Sequence, residues 1–311
     1  MSANLNVSAT PNAISQSRVA LEDVQLNIDP KSYEAFYNKI PFGFTHNLHQ
    51  LEIFQFDSIS ELLDRYTGAS NDYYVAGSAA TAGSAFFDAP HIKLPPKEAI
   101  HQLDERPTRI LLKRLENHDD RFRTLLDLII KQIRSIPGGL GDQPILRIQS
   151  SLFITSAAST TPLHFDPEVG FFTQIEGDKT YHVYSPDDVR EQDLEDFYVR
   201  GKVSIGQLDM AQRDPGKEQV YNLTAGHGFH QPQNAPHWVE TCGTRSISYS
   251  CVFETSADRA LGRTRAFNYY ERKLGISPTP PGKNSQLDSV KAEAIIPDRL
   301  ARKVLDRIRR T

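Results

Sequence analysis

The chain has 311 residues, of which 39% are hydrophobic and 24% charged, and its formal net charge is -4. This is the make-up of an ordinary globular protein with enough length for a sizeable core, and it lacks the positive excess of a nucleic-acid or anionic-membrane binder. No apolar run approaches the roughly 18 residues that span a bilayer, and the two cysteines, Cys242 and Cys251, are too few for a disulfide framework and read as buried thiols of a cytoplasmic protein.

Residues 1–18 are small and polar, without the basic start and apolar stretch of a secretory signal, and are expected to form a disordered tail. Residues 19–141 read as an N-terminal mixed segment, mainly helical, that packs on the rest. Within it, "DSISELLDRYTG" (57–68) predicts a short helix. Ser58 and Glu61 have capping-box spacing, Ile59, Leu62, Leu63 and Tyr66 make one apolar face, and Gly68 ends it. "NHDDRFRTLLDLIIKQIRSIPGG" predicts a longer helix, with Phe122, Leu125, Leu126, Ile129, Ile130 and Ile133 at helical spacing. Asp119 and Asp120 suit its first turn, Lys131 and Arg134 its last, and Pro137-Gly138-Gly139 stops it.

From 142 to 256 the pattern changes to short β-branched and aromatic runs at 145–155, 171–175, 179–185, 202–208 and 246–254, separated by turn residues. That is the pattern of an antiparallel sandwich or barrel. Residues 257–311 read as a C-terminal helical region interrupted by a Pro-rich linker, "SPTPPGKNSQ" (277–286). Its last helix, over 297–309, is basic and amphipathic, with Leu300, Val304, Leu305 and Ile308 on one side. That apolar side either folds back on the barrel or pairs with its counterpart in a two-fold homodimer.

The stretch "TTPLHFDPEVGFFTQIEGDKTYHVYSP" (160–186) holds the candidate chemistry. His164 and Asp166 are two apart, so on a strand both point the same way. An H-x-D pair recurs by chance, but a third ligand would complete a metal site, and His237 is the candidate, placed where a turn-rich passage (221–240) enters a strand. Two imidazoles and one carboxylate on one side of an ion leave the opposite positions open, the set used by non-heme Fe(II) oxygenases. "QIEGDKT" reads as strand, Gly-Asp turn, strand, which returns Lys179 towards the sheet of His164. Lys179 is then either a surface lysine beside a turn or a barrel lysine that needs an anionic partner, such as a ligand carboxylate. Along 246–254, Ile247, Tyr249, Cys251 and Phe253 form one face and Ser246, Ser248, Ser250 and Val252 the other. The second face suits either solvent or a pocket wall, with Ser248 and Ser250 as candidate ligand contacts.

These residues resemble a known family, the JmjC-type cupin-like dioxygenases that use Fe(II) and 2-oxoglutarate. The likeness is to the branch containing the asparaginyl hydroxylase of hypoxia-inducible factor and its bacterial cupin-like relatives. "TPLHFD…FFTQIEGDK" is similar to the family's T-P-x-H-x-D…QI-x-G-x-K, and "AGHGFHQPQNAPHWVE" to its P-G-D-x-x-x-x-P-x-x-x-x-H. The resemblance covers residues 145–255, with a looser likeness from Phe42 to Leu126. It implies a double-stranded β-helix (jelly-roll, cupin) core flanked by an N-terminal helical segment and C-terminal helices. It implies iron ligation by His164, Asp166 and His237. It also implies that Lys179 and Thr161 bind the distal carboxylate of 2-oxoglutarate, and that the Ser248–Ser250 face lines the pocket. Dimerisation through C-terminal helices is a further implication.

The chain departs from the pattern at three places. Gly170 and Val252 stand where the hypoxia hydroxylase has asparagines, and His227 replaces the acidic residue of the second motif. The departures argue against the same peptide substrate. His227 and His230 are rival ligand candidates, but His237 matches the end of the motif. The expected activity is hydroxylation of an unactivated C–H of a peptide side chain or a small molecule, with Fe(II), 2-oxoglutarate and O2, releasing succinate and CO2. Two alternatives stand beside it, a metal cupin with isomerase or hydrolase activity and a non-catalytic regulatory binding protein. No nucleic-acid or membrane partner is expected.

Overall fold

The computed structural model describes residues 19–66, 71–77, 80–85, 94–200 and 206–295. Among them are eleven strands, all of whose ladders are antiparallel. They are β1 (Leu26–Asn27), β2 (Phe42–His46), β3 (Tyr73–Ala76), β4 (Arg109–Lys113), β5 (Ile145–Thr155), β6 (Thr160–Phe165), β7 (Val169–Val183), β8 (Gly206–Gln207), β9 (Gln219–Leu223), β10 (His227–Gln231) and β11 (His237–Thr255). The α-helices are α1 (Pro30–Phe36), α2 (Phe56–Asp64), α3 (Pro96–Ala99), α4 (Leu115–His118), α5 (Asp120–Ser135), α6 (Glu191–Val199), α7 (Ser256–Lys273) and α8 (Ser285–Ala294).

The two longest strands, β7 and β11, pair along almost their full length and are shared by two half-sheets. Val169–Glu176 and Ile247–Phe253 pair in a broad half ordered β1-β2-β10-β7-β11-β5-β4-β3. Asp178–Val183 and His237–Cys242 pair in a narrow half that adds β9 beside β7, β6 beside β11 and β8 beside β6. This is the mainly β jelly-roll with flanking helices that the sequence leads one to expect.

Alternation decides what each face meets. Ile247, Tyr249, Cys251 and Phe253 of β11 turn outward, under Ile59, Leu62 and Leu63 of α2 and Phe122, Leu125, Leu126, Ile129 and Ile133 of α5. Each such side chain contributes about 1.5–3 kcal/mol on full burial. On the narrow half, Leu163, Phe165 and Tyr184 are covered by Leu194 and Phe197 of α6 and Ala266 of α7. The inner space between the halves holds Phe172, Tyr181, Val183, Leu223, Phe229 and Val239. The Ser246, Ser248 and Ser250 face of β11 points into this space and is at most 1% exposed, so it does not face solvent.

Several local readings are corrected. The Gly177–Asp178 turn is absent, and β7 runs straight through it. Gly177 takes φ +67, and the irregular pairing there switches the inward face from Phe172 and Gln174 to Lys179, Tyr181 and Val183. The front segment is less helical than its periodicity predicts, because β2 and β4 are ladder members. The turn-rich passage 221–240 contains β10, and the stretch between β7 and β8 contains α6. Helix α2 begins at Phe56, so Ser58 is a buried helix residue, and the N-cap Gln55 makes no side-chain cap bond. Cys242 is exposed, and only Cys251 is a buried thiol. Asp119 does cap α5, accepting from the Arg121 amide. Gly68, most of the 202–208 strand, the 1–18 tail and the 297–309 helix with its dimer reading lie outside the described residues. No helix among the described residues is long and apolar enough to cross a membrane.

The Gly177 crossing has a measurable consequence. A Cβ there would stand 2.2 Å from the Arg245 carbonyl oxygen, whereas Gly141, also at positive φ (+49), has no atom within 4 Å. Gly177→Ala should lower the unfolding free energy by about 3 kcal/mol or more, and Gly141→Ala by about 1 kcal/mol. Urea midpoints of the two variants check this.

Candidate metal centre

His164 and His237 are direct cross-strand partners on β6 and β11, and Asp166 follows the end of β6. Their ring centroids lie 4.1 Å apart. The His164 Nε2–Asp166 Oδ1 and His237 Nε2–Asp166 Oδ2 separations are 4.0 and 3.7 Å. One potential ligand atom from each residue lies within 4.8 Å of the others, the only such cluster among the described residues. That spacing is a small side-chain adjustment away from three ligands around an ion with bonds of about 2.0–2.2 Å.

Both imidazoles are oriented by their other nitrogen. His164 Nδ1 contacts the Pro162 carbonyl oxygen at 2.7 Å, and His237 Nδ1 the Ala235 carbonyl oxygen at 3.1 Å. A carbonyl oxygen only accepts, so each Nδ1 carries the hydrogen and each Nε2 presents a lone pair towards Asp166. Burial is the main cause that holds both histidines below the ordinary imidazole value, which keeps them neutral. Burial raises Asp166 above the ordinary carboxylate value, with His237 opposing. About a fifth of the Asp166 side chain reaches solvent, which marks the open side of the cluster. The loop before His237 is pinned to the one after Asp166, because the Asn234 amide donates to the Asp166 carbonyl and the Gln233 side chain to that of Pro167. Gln231 Nε2 approaches Asp166 Oδ2 at 3.4 Å, leaving Gln231 Oε1 buried without a partner in the described structure.

Lys179 lies on the same inward face, opposite Thr241 of β11. It is 4% exposed, its Nζ sits 5.6 Å from the centre of the Phe153 ring, and no carboxylate among the described residues pairs with it. Burial, reinforced by the field of Arg109, pushes its ammonium down to about 7. Thr161 joins this face through an irregularity in β6. His164 opposes His237, but Thr161, three residues earlier, opposes Val239, two residues later, so both point inward. Thr161 Oγ1 accepts from Arg109 Nη1 at 3.1 Å. Arg109 opens β4 and is 7% exposed. The sequence reading missed it; the signal was a single cation at the head of the apolar run "RILLK", between Pro107 and the next charges.

The other expected contacts fall out differently. Ser248 Oγ donates to Gln174 Oε1 at 2.7 Å, and Gln174 Nε2 donates to Ser246 Oγ, so this serine wall is internally satisfied. Ser250 is buried opposite Phe172. Gly170 and Val252 are register partners, and a Cβ on Gly170 would meet the Phe172 ring at 2.8 Å. His227 is exposed and bonded to Thr224. His230 is fully buried, accepts from the Asn38 amide, donates to the Gly170 carbonyl and is driven down to about 3 by burial. Neither belongs to the cluster.

No protein-family model and no curated protein matches the chain. Among solved structures, the chain aligns with the X-ray structure of E. coli YcfD at TM-score 0.51 and 16% identity, covering 92% of this chain and 69% of that one. A structure described as YcfD, a ribosomal oxygenase from Escherichia coli, in complex with cobalt and 2-oxoglutarate aligns at TM-score 0.49 and 16% identity, covering 89% and 70%. At this identity the first likeness is one of fold.

A buried ammonium without a carboxylate destabilises the ligand-free protein, so Lys179→Met should be more stable than wild type. Its folded value of about 7 lies below the ordinary 10.5, so between these pH values the unfolded chain binds the extra proton and wild-type stability rises with pH. The advantage of Lys179→Met should therefore be a few kcal/mol at or below pH 7, on the order of what such a shift implies, and shrink as the pH approaches 10. Chemical denaturation at pH 6.5 and 9.5 measures it.

Proposed function

We propose that the chain is an Fe(II)- and 2-oxoglutarate-dependent oxygenase that hydroxylates a C–H bond of a peptide side chain or a small molecule. One observation carries this reading. A two-histidine, one-carboxylate cluster and a buried lysine with no carboxylate partner occupy the same inward face of one barrel. An isomerase or hydrolase metal site has use for the cluster but none for a second, anion-seeking group beside it.

His164 and His237 would hold the ion through Nε2 and Asp166 through a carboxylate oxygen, the hydrogen bonds at each Nδ1 keeping both lone pairs aimed. Lys179 and Thr161 would take the distal carboxylate of 2-oxoglutarate, satisfying the charge that burial otherwise penalises. When bound, Fe(II), 2-oxoglutarate and O2 supply the oxidising chemistry, with succinate, CO2 and the hydroxylated product as the balanced outcome. Phe172, Tyr181, Phe229 and Val239 form an apolar wall that excludes water from that chemistry. The substrate carbon would approach from the Asp166 side, where the cluster meets solvent.

Untargeted mass spectrometry of cell extract incubated with the protein, Fe(II), 2-oxoglutarate and O2 tests the reading. Wild type should produce species heavier by one oxygen atom together with succinate, and folded Asp166→Ala should lose at least about 100-fold of both, as expected when a group needed throughout the reaction is removed. Succinate formation by the Asp166→Ala protein at the wild-type rate would overturn the metal assignment.

A further inference from the structure

We infer that Arg109 is a second cationic residue of the cosubstrate pocket, a positioning residue that orients the Thr161 hydroxyl and sharpens selection for a 2-oxo acid with a distal carboxylate. The inference rests on the proposed oxygenase function.

Arg109 reaches Thr161 across the fold. Strand β4 is bonded to β5 and β3, with Arg109 opposite Thr155, whereas Thr161 belongs to β6 in the narrow half. The guanidinium crosses from one half-sheet to the other, with Nη1 3.1 Å from Thr161 Oγ1 and 3.5 Å from the Thr160 carbonyl oxygen. It also lies 5.8 Å from the centre of the Tyr74 ring, which fixes the direction of the fork.

A guanidinium only donates, so Thr161 Oγ1 is the acceptor in this contact. The hydroxyl hydrogen is thereby directed elsewhere, and no described residue accepts it. An acceptor in the pocket is what it lacks. The Lys179 ammonium, on the same inward face and equally without a carboxylate, lacks the same thing. An oxygen pair between Lys179 and Thr161 would satisfy both donors at once, as a terminal carboxylate does. A neutral tail would leave both donors buried and unmet, which weakens its binding. Arg109 adds a charge that persists at any working pH, whereas the neighbouring ammonium is easily neutralised.

Calorimetric titration of the Mn(II)-loaded protein with 2-oxoglutarate and with 2-oxovalerate, which has the same carbon count and a methyl end, separates the possibilities. Arg109→Met should weaken 2-oxoglutarate about tenfold or more and 2-oxovalerate by less than about threefold, since a charge-assisted hydrogen bond contributes roughly 1.5–3 kcal/mol. Because Arg109 acts through Thr161, the Thr161→Val and Arg109→Met effects should be less than additive in the double variant. Arg109→Gln, which keeps a donor for Thr161 without the charge, should fall between and carries the test if Arg109→Met does not fold. Unchanged 2-oxoglutarate affinity in a folded variant, or equal weakening of both acids, overturns the role of Arg109 and leaves the oxygenase reading standing. A wild-type protein that binds Mn(II) but not 2-oxoglutarate overturns both.

Discussion

The site depends on one strand pairing. From Phe253↔Val169 to His237↔Val183, β11 and β7 stay paired through both half-sheets, the ladder broken only by register shifts between Cys242 and Ser248, around Gly177. That break changes which side chains face inward. Without it, strict alternation from Phe172 and Gln174 would turn Lys179 out to solvent and put its neighbours into the barrel. With it, Lys179, Tyr181 and Val183 share a face with His237, Val239 and Thr241. A second irregularity, in β6, does the same for Thr161 and His164. Two local departures from regular pleating therefore assemble a site from residues that regular strands would scatter.

The assembled site is electrostatically unfinished. Two neutral imidazoles direct lone pairs at one carboxylate, a buried ammonium faces an aromatic ring, and a threonine hydroxyl is held from behind by a guanidinium. Groups of this kind destabilise a fold when left unmet, and under the proposed function each would gain a partner from a cation at one end of the cavity and a dianion beside it. The surrounding stability comes from elsewhere. The outward face of β11 is sealed by α2 and α5, and the narrow half by α6 and α7, so the strained face is carried by two well-packed ones.

Much of this was legible in the residues. His164 sits on β6 as the strand reading has it, Asp166 falls just past the end of that strand rather than on it, and the serine side of 246–254 alternates cleanly into the barrel. What was not legible follows from long-range pairing. Gly177–Asp178 looks like a turn because glycine at positive φ usually ends a strand, yet here it is a crossing inside β7. Arg109 is invisible as a site residue because its partner, Thr161, is 52 positions away and on another strand. Strand β4 is five residues long and sits in a segment whose strongest periodicity is helical. The Ser58 cap fails for a related reason: Phe56 and Asp57 already lie in α2, so Ser58 is interior.

The central claim, that the three-residue cluster and the lysine pocket bind one ion and one 2-oxo dianion together, has a direct spectroscopic test that needs no substrate. Anaerobic titration of the Fe(II)-loaded protein with 2-oxoglutarate should produce a weak visible metal-to-ligand charge-transfer band. The band should saturate with the cosubstrate and vanish in folded His237→Ala. A protein that holds Fe(II) and gives no such band at saturating 2-oxoglutarate would contradict the account.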